Sequence, residues 1–419
     1  MEPNWKKEFF VIYLGQAFSI IGSAAAQFAI IWYLTLKTES AITLTLATIV
    51  SFLPSAVLGP IAGVIADRYS RKRIMIVADA LVALSSLLLA VFFIVTPEPS
   101  VLLIYLILFL RGLGGTFHMP AMQAAIPTLV PVEYLEKAGG WSSFVTSGSN
   151  IIGPLLGAFL MGIFPIASIM LVDITGAVFA IICLIFVRIP SVSKEKTSTD
   201  FSLKSELAQG LNALKENRLL MAALPQYILV GILYFPLSSL FPLIVLTHYK
   251  GGALENGFIE TAFALGMLMA SIGMGLFGGI KRRFVMFSAA IVLLGISIGI
   301  IGSLPANLFF ICVMVTFVAG TTATFFNVPF YAYIQESVKP EQMGKVMSLL
   351  LTLCTIANPI GLVIAGPVSE VIGVNNWFVG SGIALVIIGL VCLLRTRAEE
   401  DKYLIENLIK ETATLNPNE

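Results

Sequence analysis

Twelve stretches of this chain run almost without charge for long enough to cross a lipid bilayer. Charges, prolines and glycines bound them at about 9–36, 42–66, 74–96, 100–125, 139–162, 166–187, 219–246, 257–279, 285–304, 306–332, 346–372 and 378–394. A helix needs roughly 20 apolar residues to span a hydrocarbon core of about 30 Å. Only 12% of the 419 residues are charged, against roughly 25% in a soluble domain. Lipid, not water, must therefore face most of the surface. The net charge of +1 offers no basic surface for nucleic acid. Lys6 and Lys7 precede the first apolar run as they would in a secretory signal. That run extends from Phe9 to Leu36, beyond the roughly 7–15 residues of a signal core. With no small-residue cleavage site at its end, it reads as an uncleaved first span.

Lys and Arg orient the spans, because cytoplasmic loops carry an excess of both. With the N-terminus inside, 22 of the 25 basic residues fall in cytoplasmic segments, Lys37 and Lys250 in outer loops, and Arg111 within a span. Both termini are therefore expected in the cytoplasm, with the chain crossing the membrane many times. The longest polar segment is central. Ser191, Ser193, Lys194 and Glu195 open it as a linker, and Phe201, Leu203, Leu207, Leu211 and Leu214 then recur at helical spacing. That pattern predicts an amphipathic helix on the cytoplasmic membrane face. The expected domains are a six-helix bundle over 1–187, the linker with its helix over 188–218, a second six-helix bundle over 219–394, and a cytoplasmic tail over 395–419. In the tail Leu404, Leu408 and Ile409 share one side, as in an amphipathic or solvated terminal helix.

The halves echo one another at an offset of 208–210 residues. Thr116-Phe117, Pro120, Pro131 and Lys137 return as Thr324-Phe325, Pro329, Pro340 and Lys345. Asn150 and Gly153 return as Asn358 and Gly361, and Gly63 with Arg71-Lys72-Arg73 as Gly273 with Lys281-Arg282-Arg283. The predicted fold class is an all-α membrane protein with twelve transmembrane helices in two pseudo-symmetric six-helix bundles. Two such bundles enclose a cavity near mid-membrane and expose it to each side in turn by rocking.

Several polar residues interrupt the apolar runs. Arg111 lies mid-span, where a charge costs at least ~2.5–3.5 kcal/mol on insertion scales. It is either functional or a structural partner for a buried acid. Asp173 in span six and Glu260 in span eight are the most deeply placed carboxylates, with Asp79 near the cytoplasmic end of span three and Glu370 near the outer end of span eleven. A carboxylate in a low-dielectric cavity can take up a proton near neutrality. Asp173 is the first candidate for proton coupling, with Arg111 and Glu260. Gln16, Ser19, Ser23 and Gln27 follow a 3-4-4 spacing on one face of span one, as do Tyr227, Gly231, Tyr234 and Ser238 in span seven. Such stripes must face protein or water. They are expected to contact substrate in a mostly apolar cavity suited to a large amphipathic ligand, or to pack helix against helix.

The tight loop between spans two and three reads Gly63-Val-Ile-Ala-Asp67-Arg68-Tyr-Ser-Arg71-Lys72-Arg73. Here the chain resembles the major facilitator superfamily, whose signature is G-x-L-x-D-R-x-G-R-[KR], matched at Gly63, Asp67, Arg68, Arg71 and Lys72. Ser70 stands where the family usually has glycine. Asp67 can accept hydrogen bonds from a neighbouring helix N-terminus or pair with Arg68 or Arg71, which would latch the cytoplasmic side in one state. The echo in the second half has Phe277 and Gly278 at the matching positions, so such a latch is asymmetric. Arg111 and Gly115 match a family signature associated with proton transfer. Gly153, Pro154 and Gly157 in span five match part of the antiporter signature G-x-x-x-G-P-x-x-G-G, with Ser149 and Ala158 in place of glycines. The resemblance implies a glycine-lined, proline-bent helix and efflux in preference to uptake.

Within that superfamily the first half is similar to bacterial macrolide-efflux-type drug:proton antiporters, through Asn4-Trp5-Lys6, Gly15-Gln16-Ala17, Phe52-Leu53-Pro54, Leu58-Gly59-Pro60, Thr116-Phe117-His118 and Leu129-Val130-Pro131. This implies export of hydrophobic, macrolide-like drugs against protons across a bacterial inner (cytoplasmic) membrane. The expected partners are that small molecule, protons, the lipid bilayer, and an accessory ATP-binding protein or none. No enzyme activity, catalytic residue, metal or cofactor is expected. There is no G-x-x-x-x-G-K-[ST] phosphate loop, the two histidines His118 and His248 show no clustered ligands, and Cys183, Cys312, Cys354 and Cys392 lie in apolar runs as packing residues. A proton-coupled uptake carrier for a small metabolite and a non-transporting membrane receptor on the same fold are the alternatives.

Overall fold

A computed structural model describes residues 5–96, 98–187, 189, 209–212, 214, 215, 217–277 and 282–415. The helix predicted over 201–215 lies largely outside these residues. Among the described residues there are twelve helices long and apolar enough to span a membrane. They are α1 (Trp5–Thr38), α2 (Ala41–Arg68), α3 (Arg71–Val95), α4 (Val101–Leu129), α5 (Leu135–Met161), α6 (Ile166–Phe186), α7 (Arg218–Thr247), α8 (Ala253–Phe277), α9 (Arg283–Ser303), α10 (Phe309–Ser337), α11 (Pro340–Ile372) and α12 (Val374–Leu415). No strand occurs among the described residues.

The helices start and stop where local chemistry dictates. The Ser40 and Ser100 hydroxyls accept from Thr43 N and Leu103 N and cap α2 and α4. The Asn217 side chain accepts from Leu219 N and Leu220 N at the head of α7. Each satisfies donors that an isolated helix end leaves bare. α11 and α12 are joined by Gly373 alone, at φ 87°, a left-handed backbone that favours glycine. Several helices outrun their apolar cores. α3 begins at Arg71, α11 at Pro340, and α12 continues unbroken through 395–415, so the tail is the same helix as the last span. Hydropathy registers the thickness of hydrocarbon, not the length over which backbone hydrogen bonds persist.

The chain packs as two compact units, Met1–Ser198 with Ser239–Ala264, and Thr199–Ser238 with Leu265–Glu419. In the first, α1 packs on α5 and α6, α2 on α4, and α3 on α4 and α6; in the second, α9 packs on α10 and α12. Within α1, Tyr13 and Gln16 are buried while Phe10, Leu14 and Phe18 are exposed, an apolar face suited to lipid. Lipid removes the hydrophobic drive between helices, so close packing and interhelical hydrogen bonds, each about 0.6 kcal/mol, hold them together. The internal repeat is visible as a contact. A Cβ on Gly153 would lie 2.3 Å from the Ala24 Cβ, and one on Gly361 would lie 2.1 Å from the Ile232 carbonyl oxygen. Both members of the second contact stand 208 positions after those of the first.

Candidate functional site

The first unit buries two carboxylates, surrounded by side chains from α1, α3, α4 and α6. Asp173 on α6 is wholly shielded from solvent. Ser23 on α1 donates to its Oδ1 at 2.6 Å, and Ser86 on α3 donates to its Oδ2. Arg111 on α4 pairs with the same Oδ2 through Nη1. Its Nη2 donates to the Ser23 carbonyl at 3.0 Å. A buried charge is tolerable when it is paired and hydrogen-bonded, and here both oxygens of Asp173 and both terminal nitrogens of Arg111 have partners. Structure thus brings together two of the three residues expected in proton coupling, along with Ser23 from the polar stripe.

The second carboxylate, Asp79 on α3, receives Gln16 Nε2 at 3.2 Å and Ser19 Oγ at 3.4 Å, both from α1. His118 on α4 places Nε2 3.6 Å from Asp79 Oδ1. Both groups are buried, and among the described residues neither His118 Nε2 nor Gln16 Oε1 has a hydrogen-bond partner. The two centres form a ladder. Asp79 and Ser86 are seven residues apart on α3, and Arg111 and His118 are seven apart on the antiparallel α4. Two turns of helix separate the rungs by about 10.5 Å along the axis.

Glycines set α1 close enough to feed both rungs. A Cβ on Gly22 would stand 2.9 Å from the Val172 carbonyl oxygen and 3.1 Å from Asp173 Cα. The neighbouring Ser23 therefore reaches its acid. On another side of α1, a Cβ on Gly157 would stand 2.7 Å from the Ala25 carbonyl oxygen, so Gly153 and Gly157 press α5 against α1, with Pro154 within α5. Three of the four stripe residues, Gln16, Ser19 and Ser23, direct their hydrogen bonds to the acids. Gln27 is half-buried farther along.

The second unit carries aromatic rings at the corresponding place. At 208 positions after Ser19 and His118 stand Tyr227 and Phe326, stacked with centroids 5.1 Å apart. Phe330 stacks on Tyr227 at 4.4 Å, and Phe287 stacks on Phe326 at 5.0 Å. The Tyr227 hydroxyl donates toward Asn327 Oδ1 and Tyr331 Oη, each at 3.1 Å. Tyr234 is half-buried, and Ser238 is exposed and donates to the Phe235 carbonyl. Glu260 on α8 accepts from Asn256 of the same helix at 3.0 Å and, among the described residues, does not join the Arg111–Asp173 network.

The residues expected to form a loop latch lie at the C-terminal end of α2 and the start of α3. Gly63 is half-buried at the end of α2, while Asp67 and Arg68 are exposed. Among the described residues Asp67 makes no ion pair with Arg68 or Arg71. It lies in the last turn of α2, where it projects into the open. Lys72 instead donates to the carbonyls of Ile185 and Val187, each at 2.8 Å, neutralising the negative end of α6. Arg71 Nη1 is buried and has no hydrogen-bond partner among the described residues. In the second unit the acids come from α12. Glu400 accepts from Phe284 N at 2.8 Å and Val285 N at 3.0 Å, and Asp401 pairs with Arg282 at 3.2 Å. Burial pushes the Glu400 carboxyl above its ordinary range, against the two amides and Arg282, which pull it down.

Sequence reasoning missed the partnership of His118 and Ser86 with the acids. The seven-residue spacing of each from a singled-out residue, Arg111 or Asp79, was the available signal.

The Major Facilitator Superfamily pattern matches residues 12–361 and again 226–412. The chain is 39% identical over 389 residues to "Macrolide efflux protein A" of Streptococcus pyogenes, covering 93% of this chain and 96% of that one. It is 37% identical over 323 residues to "Macrolide efflux protein A" of Enterococcus faecalis, covering 77% of this chain and 99% of that one. Its fold is similar to the crystal structure of a bacterial homolog of the human lysosomal transporter Spinster, with TM-score 0.74 and 13% identity over 95% of this chain and 98% of that one.

Proposed function

Because the chain belongs to the Major Facilitator Superfamily, we propose that it exports hydrophobic, macrolide-like drugs from the cytoplasm in exchange for protons by alternating access. The observation that carries this reading is the 39% identity, over nearly the full length of both chains, to a macrolide efflux protein. The interior is consistent with it. A multi-pass membrane protein has no structural need to bury Arg111, Asp173, Asp79 and His118 together, and intramembrane ionisable groups mark proton relays by default. The aromatic stack around Tyr227 offers the second unit an apolar wall with a few hydroxyl and amide groups, the composition of a drug site. Gln27, Tyr234 and Ser238 face substrate in this reading.

Arg111, Asp173 and Glu260 are the charged groups of proton coupling. Gly63, Asp67, Arg68, Arg71 and Lys72 latch the cytoplasmic side, with Asp67 engaging in a state other than the present one. Gly153, Pro154 and Gly157 shape α5 for outward release. Both termini lie in the cytoplasm of a bacterial cell. Protons supply the energy, so an accessory ATP-binding protein is not required. Cells expressing the protein should accumulate less labelled macrolide than control cells, and a protonophore should erase the difference while ATP depletion at constant proton gradient should not. Raised accumulation on expression would instead favour uptake.

A further inference from the structure

We infer that Asp79 and His118 form the site that binds and releases the exchanged proton, while Arg111 and Asp173 form a fixed charge pair beside it. The inference rests on the proton-coupled reading above and assigns the proton to a particular rung of the ladder. Arginine remains protonated throughout the physiological range, so the Arg111–Asp173 rung keeps one permanent cation against one carboxylate. Its four hydrogen-bonding side chains leave Asp173 enclosed and paired. The other rung replaces arginine with histidine, whose charge ordinarily changes between about pH 5 and 8.

The geometry of the Asp79 rung fits a proton that comes and goes. His118 Nε2 stands 3.6 Å from Asp79 Oδ1, just beyond hydrogen-bond distance, and has no hydrogen-bond partner among the described residues. Movement of a few tenths of an ångström would let a protonated Nε2 donate to the carboxylate. Imidazole and carboxyl together then hold one proton, with no net charge. Release of that proton leaves one negative charge in the interior, which favours its replacement. The titratable or charged groups acting on Asp79 are His118 from α4 and, through space, Asp173 from α6; α1 contributes the neutral Gln16 and Ser19. Asp173 is already balanced by Arg111, so the occupancy of the Asp79 rung is set by its own pair. Ser19 and Ser23, one helical turn apart on α1, donate to Asp79 and Asp173 respectively.

Purified wild type, Asp79→Asn and His118→Gln in proteoliposomes, with labelled erythromycin as probe, test this. Accumulation driven by a pH gradient should fall by about tenfold or more in both variants, while exchange of labelled for unlabelled drug stays within about twofold of wild type, as expected when a titrating group is removed without loss of the drug site. His118→Arg, which copies the neighbouring rung, should also retain exchange and lose the response to the gradient. A variant that exchanges drug and is still driven by the gradient overturns the inference. Should the variants fail to fold, His248→Gln leaves a single histidine in otherwise intact protein, since the chain has two. Its imidazole NMR signal should titrate and should shift on adding drug; a signal unchanged by pH and by drug also overturns the inference. If wild type itself shows no gradient-driven accumulation, it is the proton-coupled reading that fails.

Discussion

His118 Nε2 stands 3.6 Å from Asp79 Oδ1, two helical turns along α4 from Arg111, which pairs with Asp173. α4 thus carries the base of both pairs, an arginine in one and a histidine in the other, while the acids stand on different helices, Asp79 on α3 and Asp173 on α6.

Removal of Arg111 alone strands Asp173 as an unpaired buried charge, which is expected to cost about 3–5 kcal/mol. Arg111→Ala should therefore melt well below wild type in detergent. Arg111→Leu with Asp173→Leu should recover most of the stability without recovering export. Thermal unfolding of both proteins, read beside drug accumulation in cells, checks the separation.

Asp173→Asn should abolish gradient-driven export even where folded protein is recovered, because Arg111 then lacks its counter-ion. Transport by folded Asp173→Asn protein at the wild-type rate would place the fixed charge pair outside the mechanism.

A Cβ at Gly153 meets the Ala24 Cβ at 2.3 Å, whereas one at Gly148 meets nothing within 4 Å. Gly153→Ala should force α5 from α1 at a cost of about 1–3 kcal/mol, and Gly148→Ala should be close to neutral. Paired melting curves decide it.

Asp67 is exposed and unpaired among the described residues, so Asp67→Ala should leave the melting temperature within the range of ordinary surface substitutions, about ±0.5 kcal/mol, yet impair export. Lys72→Ala frees two carbonyls at the end of α6 and should lower stability as well. Wild-type turnover by Asp67→Ala would reduce the loop to a topology signal.

Glu400 offers a pH test outside the spans. Its carboxyl titrates above the ordinary 4.5, chiefly because it is buried. A raised folded-state value means that protonation favours the fold. Its contribution is complete below 4.5 and declines as pH rises through the raised value. Glu400→Gln should flatten the dependence of melting temperature on pH in that window. An unchanged slope would show that another group governs it.

The twelve spans were legible because hydropathy measures what lipid requires, and the repeat because its contact residues, Gly153 and Gly361, are glycines for the same steric reason. Arg111 and Asp173 stood out as charges in apolar runs, and their pairing follows from the cost of leaving either alone. His118 did not stand out, since one histidine in a long helix has many neutral packing roles; its meaning depends on α3 running antiparallel beside α4. For Asp67 the sequence left a neighbouring helix N-terminus and Arg68 or Arg71 open as partners, because it shows only what is adjacent; that Lys72 reaches the end of α6 depends on how α3 packs against α6. Glu400 caps α9 across a separation of 116 residues, a relationship no local pattern encodes.

α12 is a single rod of 42 residues, about 63 Å long at 1.5 Å per residue, roughly twice a hydrocarbon core of about 30 Å. Glu400 and Asp401 weld it to the head of α9 just beyond its span. It is therefore an optical lever built into the second unit. A small tilt of that unit within the bilayer becomes a large sweep at the far end of the rod, and a distance label placed there would measure the stroke of each transport cycle directly.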